Sequence, residues 1–285
     1  MPATTARACA RQLSETTMTL DDIDFAGLYR EHLRQAGRAP KPASDWDRRA
    51  GELNRSSQAS RYASDFIGRM NLNGARTLLD IGCGPGALAL PLATRLERVY
   101  GLDFSAGMLA CLADNARQQG LENVQGIQRA WEEDWSDVPV CDIVVASRSG
   151  LVGDLADALE KINRHGRLRA YMTQLVGGAF SEPEIAALLG RRPQRLPDYL
   201  YTVSLLHQRD IHPRLDYLET RNRLGGTRDF EEFAQRVAWA FGPIDAAQRA
   251  ELQRWYQADP ERAKSGGAPM RWAFISWDIP PRQRG

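Results

Sequence analysis

Between residues 76 and 173 short apolar runs alternate with stretches of helical periodicity, and this alternation restricts the possible folds most. The runs have the length of strands, and the fourth is continuously apolar, as expected for a strand buried on both faces of a parallel sheet. They lie at residues 77–81, 99–103, 124–128, 142–147 and 168–173. Strands separated by single helices imply right-handed βαβ units, so we predict a doubly wound α/β sheet.

Helical patterns precede this region and surround two further strand patterns after it. Phe25 and Leu33 belong to a first helical stretch that Gly37 closes, and the proline-rich run 39–43 interrupts the chain before Ser44, a candidate N-cap. Residues 215–219 predict a sixth strand, and the alternation over 272–278 predicts a final one.

We therefore divide the chain into two parts. Residues 1–45 form an N-terminal tail and helix, and residues 46–285 form the main domain. The main domain is expected to carry a helical lid at about 176–211 and a helical insertion at about 228–268.

The composition is that of an ordinary globular protein and excludes several classes of function. The 285 residues are 43% apolar and carry a formal net charge of +1, so no global field attracts nucleic acid or an anionic membrane. The four cysteines form no CxxC pair, which argues against zinc and against a disulfide framework. The first residues lack the apolar core of a signal peptide and no run is long enough to span a membrane, so we expect a cytoplasmic protein.

The turn after the first strand reads Gly82-Cys83-Gly84-Pro85-Gly86 and has the properties of a cofactor loop. Its glycines allow a ligand to touch the main chain, and its N–H groups open a helix, which favours an anionic group. Gly82 and Gly84 with Ala87 also satisfy the relaxed dinucleotide fingerprint. Asp80 separates the two alternatives, because a carboxylate there repels a pyrophosphate but suits a ligand with an ammonium and a sulfonium. The sign of this charge favours S-adenosylmethionine.

Asp103 ends the second strand about 20 residues after the first glycine, where a nucleoside cofactor needs an acceptor for its ribose hydroxyls. Both candidate cofactors contain ribose, so Asp103 predicts nucleoside binding without choosing between them. Ser105 is the better N-cap for the following helix, and we expect this to leave Asp103 free.

Three motifs together resemble the class I S-adenosylmethionine-dependent methyltransferases, with the small-molecule branch as the nearest match. They are the segment Leu78-Leu79-Asp80-Ile81-Gly82-Cys83-Gly84-Pro85-Gly86, the segment Gly101-Leu102-Asp103-Phe104-Ser105, and the pair Met108-Leu109. The resemblance covers roughly residues 46 to 173. It implies a mostly parallel, seven-stranded, Rossmann-like sheet whose last strand is antiparallel, with N-terminal helices and helical insertions around it.

The resemblance also implies a set of cofactor contacts. Asp80 is expected near the methionine moiety, the glycine loop around that moiety, and Asp103 on the ribose. The cofactor-binding residues that we predict are Asp80, Gly82, Cys83, Gly84, Pro85, Gly86, Asp103, Phe104, Met108, Ala130, Trp131, Glu132 and Ser147.

The sequence departs from the family pattern after the third strand. Related enzymes often have an Asp-Ala pair there, whose carboxylate accepts from the adenine amino group, whereas this chain has Arg129-Ala130. We expect the backbone at Ala130 and Trp131 to meet the adenine ring and Glu132 to replace the missing acceptor. A packing role in the core is the alternative for Trp131.

No residue is assigned a catalytic role, because methyl transfer from a sulfonium is an in-line displacement in which a dedicated base is optional. The loop after the fourth strand, residues 147–150, has neither an Asn-Pro-Pro-Tyr motif nor a cysteine. Arg148 in this loop either holds an acidic substrate or pairs with a surface carboxylate. We predict methyl transfer to a small-molecule acceptor and assign no metal-binding residue; the alternatives are an NAD(P)-dependent oxidoreductase and a non-catalytic regulatory protein that binds S-adenosylmethionine.

Overall fold

A computed structural model describes residues 18–37, 40–58, 61–178, 183–191 and 195–281. Much of the predicted N-terminal tail, Ala39 of the proline-rich run, and residues 181–182 at the expected start of the lid helix lie outside these ranges. Within the described residues, a 3-10 helix at Leu20–Asp22 and three α-helices precede the first strand: α1 Phe25–Gln35, α2 Ala43–Gln58 and α3 Arg61–Ile67.

Seven strands form one sheet that matches the predicted architecture. They are β1 Thr77–Ile81, β2 Arg98–Asp103, β3 Val124–Gln128, β4 Cys141–Ser147, β5 Gly166–Leu175, β6 Arg214–Thr220 and β7 Met270–Asp278. Their order across the sheet is β3-β2-β1-β4-β5-β7-β6. Neighbouring strands from β3 to β5 pair in parallel, whereas β7 is antiparallel to both β5 and β6. The predicted doubly wound α/β fold with an antiparallel last strand is therefore confirmed.

Helices connect these strands on both sides of the sheet. They are α4 Ala89–Ala93, α5 Ala106–Gln118, α6 Leu155–His165, α7 Pro183–Leu188, α8 Tyr199–His207, α9 Phe230–Phe241, α10 Ala246–Ala258 and α11 Pro260–Ser265. No helix within the described ranges is both long and apolar enough to cross a membrane.

Two local predictions need correction. The spacing of Leu88, Leu92 and Leu96 predicts a helix after β1 that includes all three, but α4 is shorter, and Leu88 and Leu96 lie outside it. The preceding turn contains Gly84 and Gly86 with positive φ, which a right-handed helix does not accommodate. The second helix begins at Ala43, so Ser44 lies inside its first turn and is not the N-cap. The predicted domain boundary between residues 45 and 46 thus falls within α2.

The sheet separates two layers of the hydrophobic core, and β7 contributes to both. Trp272 and Phe274 belong to the cluster on one face, and Ala273, Ile275 and Trp277 belong to the cluster on the other. This is the alternation expected of a strand with period two, because successive side chains point to opposite faces.

A third, smaller cluster joins α7, α9 and α10. Ile185 and Leu189 meet Phe233, Val237 and Leu252 there. In contrast, Leu205 and Leu206 of α8 belong to one of the two main clusters. The two helices of the predicted lid segment therefore pack into different parts of the molecule.

The N-terminal helices are joined to the sheet through a buried tyrosine. Tyr29 of α1 is 2% exposed. Its hydroxyl donates to the Val152 carbonyl oxygen at 2.7 Å and accepts from the Val152 N–H at 3.2 Å. One side chain thus satisfies both backbone groups of a loop residue that precedes α6.

We expect Tyr29→Phe to lower the free energy of unfolding by about 1–3 kcal/mol, because it leaves two buried backbone groups without a partner. Denaturant unfolding of the two proteins measures the change. Tyr256→Phe, which removes a half-buried hydroxyl on α10, is the matched control and should change stability less. Equal effects of the two substitutions would contradict the role of the Tyr29 hydroxyl.

Candidate functional site

Backbone hydrogen bonds hold the glycine turn after β1 against β2, and one side of the turn is open. The N–H groups of Gly82 and Cys83 both donate to the Leu102 carbonyl oxygen, at 2.7 and 3.1 Å. Gly82, Gly84 and Gly86 have φ values of 68°, 53° and 94°, in the region that favours glycine.

The three glycines differ in what a side chain would meet. A Cβ at Gly82 would lie 2.3 Å from Cβ of Ser149, and one at Gly86 would lie 2.6 Å from a methyl carbon of Leu112. A Cβ at Gly84 would meet none of the described atoms within 4 Å. Packing therefore explains the first and third glycines, whereas Gly84 borders open space that a ligand can fill.

The carboxylate of Asp80 is buried, and one of its oxygens lacks a hydrogen-bond partner among the described residues. The residue is 1% exposed, and its Oδ2 has no hydrogen-bond partner among the described residues. Burial, together with the nearby negative charge of Asp103, raises the pKa of Asp80 to about 7, while the backbone N–H of Ala89 opposes this shift. An unpaired oxygen of this kind is costly and indicates a missing donor or cation.

Asp103 connects the glycine turn to the start of α5. Its Oδ2 accepts from the Gly84 N–H and its Oδ1 from the Ser105 N–H, both at 2.9 Å. Burial raises the pKa of Asp103, although these backbone hydrogen bonds oppose the shift. Ser105 caps α5 through Met108, as predicted, but the expectation that the cap leaves Asp103 free is wrong. Each oxygen still has a second lone pair, and the ribose role remains a prediction.

Helix α2 braces this region from outside the sheet. Asp47 Oδ1 accepts from Ser105 Oγ at 2.6 Å and from the Gly107 N–H at 2.8 Å, and these contacts lower the pKa of Asp47. Asn115 of α5 donates from Nδ2 to Asn54 Oδ1 of α2. The same Nδ2 also donates to the carbonyl oxygen of Pro85 in the glycine turn, at 2.9 Å. These partners lie far apart along the chain, so no local sequence pattern indicates them.

The remaining predicted contacts near the turn differ in exposure. Cys83 and Met108 are buried, whereas Phe104 is 38% exposed at the start of α5. Burial raises the pKa of the Cys83 thiol, and the neighbouring carboxylates Asp80 and Asp103 raise it further. Cys83 is therefore a neutral packing residue that also limits the space beside Gly101.

The segment after β3 is organised by aromatic packing. Trp131 is half-buried and stacks on Trp135 with 5.2 Å between ring centroids, which is the packing role considered as the alternative. Its indole N–H donates to the Ser149 carbonyl oxygen at 3.0 Å. The Ala130 N–H donates to the carboxylate of Glu133, not of Glu132, which is exposed. The adenine roles of Ala130, Trp131 and Glu132 remain predictions.

A polar cluster closes the carboxyl ends of β4 and β5. The hydroxyl of Tyr62, from α3, lies 2.7 Å from Ser147 Oγ and 2.8 Å from Thr173 Oγ1. Burial raises the pKa of Tyr62, and the positive charge of Arg148 opposes that shift. The Arg148 N–H donates to Thr173 Oγ1 at 3.0 Å, and its guanidinium lies 4.2 Å from the centroid of the Tyr62 ring.

A small cavity opens beside this cluster. Its lining residues are Arg148, Gly150, Leu151, Thr173, Gln174, Leu175, Pro197 and Trp272. Ligands of open parallel sheets bind beyond the carboxyl ends of the strands, which is where this cavity lies. Sequence reasoning found Arg148 and Ser147 but missed Tyr62 as their partner, because no local pattern connects α3 with β4.

The described residues contain no group of three or more histidine, cysteine or acidic side chains that could hold a metal ion. The site therefore consists of a glycine turn with two buried carboxylates and a separate cavity with an arginine.

Comparisons with known proteins agree with this geometry. Residues 78–167 match a family model described as a methyltransferase domain. An uncharacterized protein of Haemophilus influenzae is 33% identical over 267 residues, which are 92% of this chain and 99% of that protein. Trans-aconitate 2-methyltransferase of an Azoarcus species is 30% identical over 129 residues, which cover 44% of this chain and 49% of that enzyme.

A solved structure shows the same fold. Coclaurine N-methyltransferase, bound to N-methylheliamine and S-adenosylhomocysteine, superposes with a TM-score of 0.51 and 13% identity. The match covers 92% of this chain and 95% of that enzyme. With its strand order, its glycine turn and these relatives, the chain belongs to the class I S-adenosylmethionine-dependent methyltransferases.

Proposed function

We propose that this enzyme binds S-adenosylmethionine over the glycine turn and transfers its methyl group to a small-molecule acceptor in the cavity beside Arg148. The observation that carries the proposal is the unpaired, buried Oδ2 of Asp80 beneath a turn whose middle glycine borders open space. A cationic ligand would neutralise this carboxylate, whereas a pyrophosphate would be repelled. The oxidoreductase alternative is therefore disfavoured by the same charge.

The residues present fit S-adenosylmethionine in three respects. Asp80 and Asp103 supply negative charge for the ammonium and sulfonium groups, and Asp103 keeps acceptor capacity for ribose hydroxyls. Gly84 leaves room for close approach of the ligand to the main chain. The bound cofactor supplies an electrophilic methyl group.

The enzyme's own contribution is to hold the acceptor in line and to exclude water. Tyr62 holds Ser147 and Thr173 through hydrogen bonds beside the cavity, so these hydroxyls are held in fixed positions. Displacement at a sulfonium needs alignment above all, and an acceptor that is already nucleophilic needs no base. Such an acceptor is compatible with a cavity whose lining, in the described part of the chain, has no histidine or carboxylate.

Two observations support a small acceptor. The net charge of +1 provides no general attraction for nucleic acid. The Azoarcus relative is named for a small-molecule acceptor, trans-aconitate.

Calorimetry with S-adenosylmethionine, S-adenosylhomocysteine and NAD tests the proposed cofactor. We expect the two adenosyl ligands to bind and NAD to bind at least tenfold more weakly, because only NAD places a pyrophosphate next to two buried carboxylates. Formation of S-adenosylhomocysteine with a pool of metabolites then distinguishes turnover from binding alone. Tight binding of NAD without binding of either adenosyl ligand would contradict the proposal.

Asp80→Asn should separate stability from ligand binding. Because the pKa of Asp80 in the folded protein is raised to about 7, its carboxyl group stays protonated there between about pH 4 and 7. In the unfolded chain the same group loses its proton over this range. Stability falls over that window, and the cost above pH 7 is on the order of 4 kcal/mol. We therefore expect Asp80→Asn to be more stable than wild type at pH 8 and similar to it near pH 4, in thermal unfolding without ligand.

The same variant should bind S-adenosylmethionine at least tenfold more weakly, because the charge that matches the cation is gone. Asp142→Asn, which removes a carboxylate at the opposite end of β4, is the control and should leave cofactor affinity unchanged. Unchanged cofactor affinity in Asp80→Asn would show that Asp80 is a purely structural acid.

Gly84→Ala and Gly86→Ala form a second matched pair. Both substitutions place alanine at positive φ, but only the one at Gly86 drives a methyl group into Leu112 and Leu90. We expect Gly86→Ala to lose about 1–3 kcal/mol more stability than Gly84→Ala. Gly84→Ala should instead lose S-adenosylhomocysteine affinity while it remains folded, as measured by thermal unfolding and calorimetry.

A further inference from the structure

The cavity at the ends of β4 and β5 contains an arginine that the cofactor role does not use. Arg148 lines this cavity with its guanidinium against the face of Tyr62. Within the described part of the chain, none of the ion pairs includes Arg148. The surface pairing considered as one alternative for this residue is therefore absent from the described residues.

The backbone of Arg148 also adopts an unusual conformation. Its φ is 58°, and among the described residues other than glycine only Asp210 shares a positive φ. Such a conformation costs on the order of 1 kcal/mol or more and persists where the surroundings enforce it, often at ligand sites. Here the Arg148 N–H donates to Thr173 Oγ1 at 3.0 Å, which anchors the backbone of this residue to β5.

The rest of the lining defines what kind of molecule the arginine faces. Arg148 is the only charged residue among those that line the cavity in the described part of the chain, and Leu151, Leu175, Pro197 and Trp272 make much of the remaining wall apolar. Gln174 contributes an amide whose Nε2 donates to the Gly150 carbonyl oxygen at 3.0 Å. A cavity with one cation and largely apolar walls is complementary to a ligand that carries one negative charge on an otherwise apolar molecule.

We infer that Arg148 is a specificity-determining residue that binds the carboxylate of the methyl acceptor, so that the acceptor is a small organic acid with an apolar body. The inference rests on the proposed function. A guanidinium presents two parallel N–H donors that match the two oxygens of a carboxylate. A phosphate dianion would leave one negative charge unpaired, because the cavity offers no second cation among its lining residues.

S-adenosylmethionine has a carboxylate of its own, so the test must distinguish the acceptor from the cofactor. The probes are benzoate and its uncharged isostere benzamide, titrated by calorimetry into the full chain with and without saturating S-adenosylhomocysteine. We expect benzoate to bind the S-adenosylhomocysteine-loaded protein at least tenfold more tightly than benzamide, since charge-assisted hydrogen bonds discriminate by about that factor.

Arg148→Asn is the main variant, because asparagine tolerates the left-handed backbone and removes only the charge and the long side chain. It should bind benzoate and benzamide equally while its affinity for S-adenosylhomocysteine stays within twofold of wild type. Arg148→Lys keeps the charge without the paired donors and should retain part of the preference. Arg254→Asn removes an exposed arginine on α10 and should keep the full preference.

Three results would overturn the inference. They are equal binding of the two probes by wild type, an undiminished preference in Arg148→Asn, and displacement of benzoate by S-adenosylhomocysteine with a tenfold loss of cofactor affinity in Arg148→Asn. The last result would assign the arginine to the carboxylate of the cofactor. Failure of wild type to bind S-adenosylhomocysteine would refute the proposed function instead, and the titrations without it would still test Arg148.

Discussion

The arrangement of the site depends on a negative charge buried at the end of the central strand. Asp80 lies at a position of β1 flanked by β2 and β4, where water cannot reach its carboxylate and no described group pairs with its Oδ2. Without a ligand, burial of this charge lowers the stability of the folded protein. The raised pKa of Asp80 reflects the same effect, because burial disfavours the charged form. In the turn that follows β1, packing accounts for Gly82 and Gly86, whereas Gly84 borders open space from which a ligand can approach the charge.

The neighbouring elements hold this arrangement in place. Asp103 ties the glycine turn to α5, and Asp47 and Asn54 of α2 hold α5 from the other side. The N-terminal helix α2 therefore helps to position the glycine turn and the start of α5, which are the two backbone segments between which a nucleoside would lie. Hydrogen bonds that backbone N–H groups donate to carboxylates are strong and directional, which makes them suited to this task.

The sequence predicted those features that depend on local patterns. The alternation of apolar runs located all seven strands, with β1 and β3 at their observed bounds. The sign of Asp80 beside the glycines indicated the cofactor class. Local patterns failed at Ser44 and at the short α4, where the backbone of neighbouring residues decided the element boundaries.

The contacts that sequence reasoning missed are those between distant segments. Tyr62 meets Thr173 across 111 positions of the chain, and Asp47 meets Ser105 across 58. No periodicity or motif links such pairs, because their proximity results from how the helices pack on the sheet. The backbone partners of Asp103 were missed for a related reason, since the distance between Gly84 and Asp103 depends on the register of β1 against β2.

The two halves of the site carry opposite charges, and this separation limits which molecules can react there. The acidic half, with Asp80 and Asp103, favours the cationic portion of a ligand, and the half at Arg148 favours an anionic one. An acceptor with a positive charge would gain nothing at Arg148 and would be repelled by a sulfonium held nearby. On the proposed function, a carboxylate-bearing acceptor would be attracted by both positive charges, and the electrostatic arrangement that would bind the cofactor would also select the acceptor.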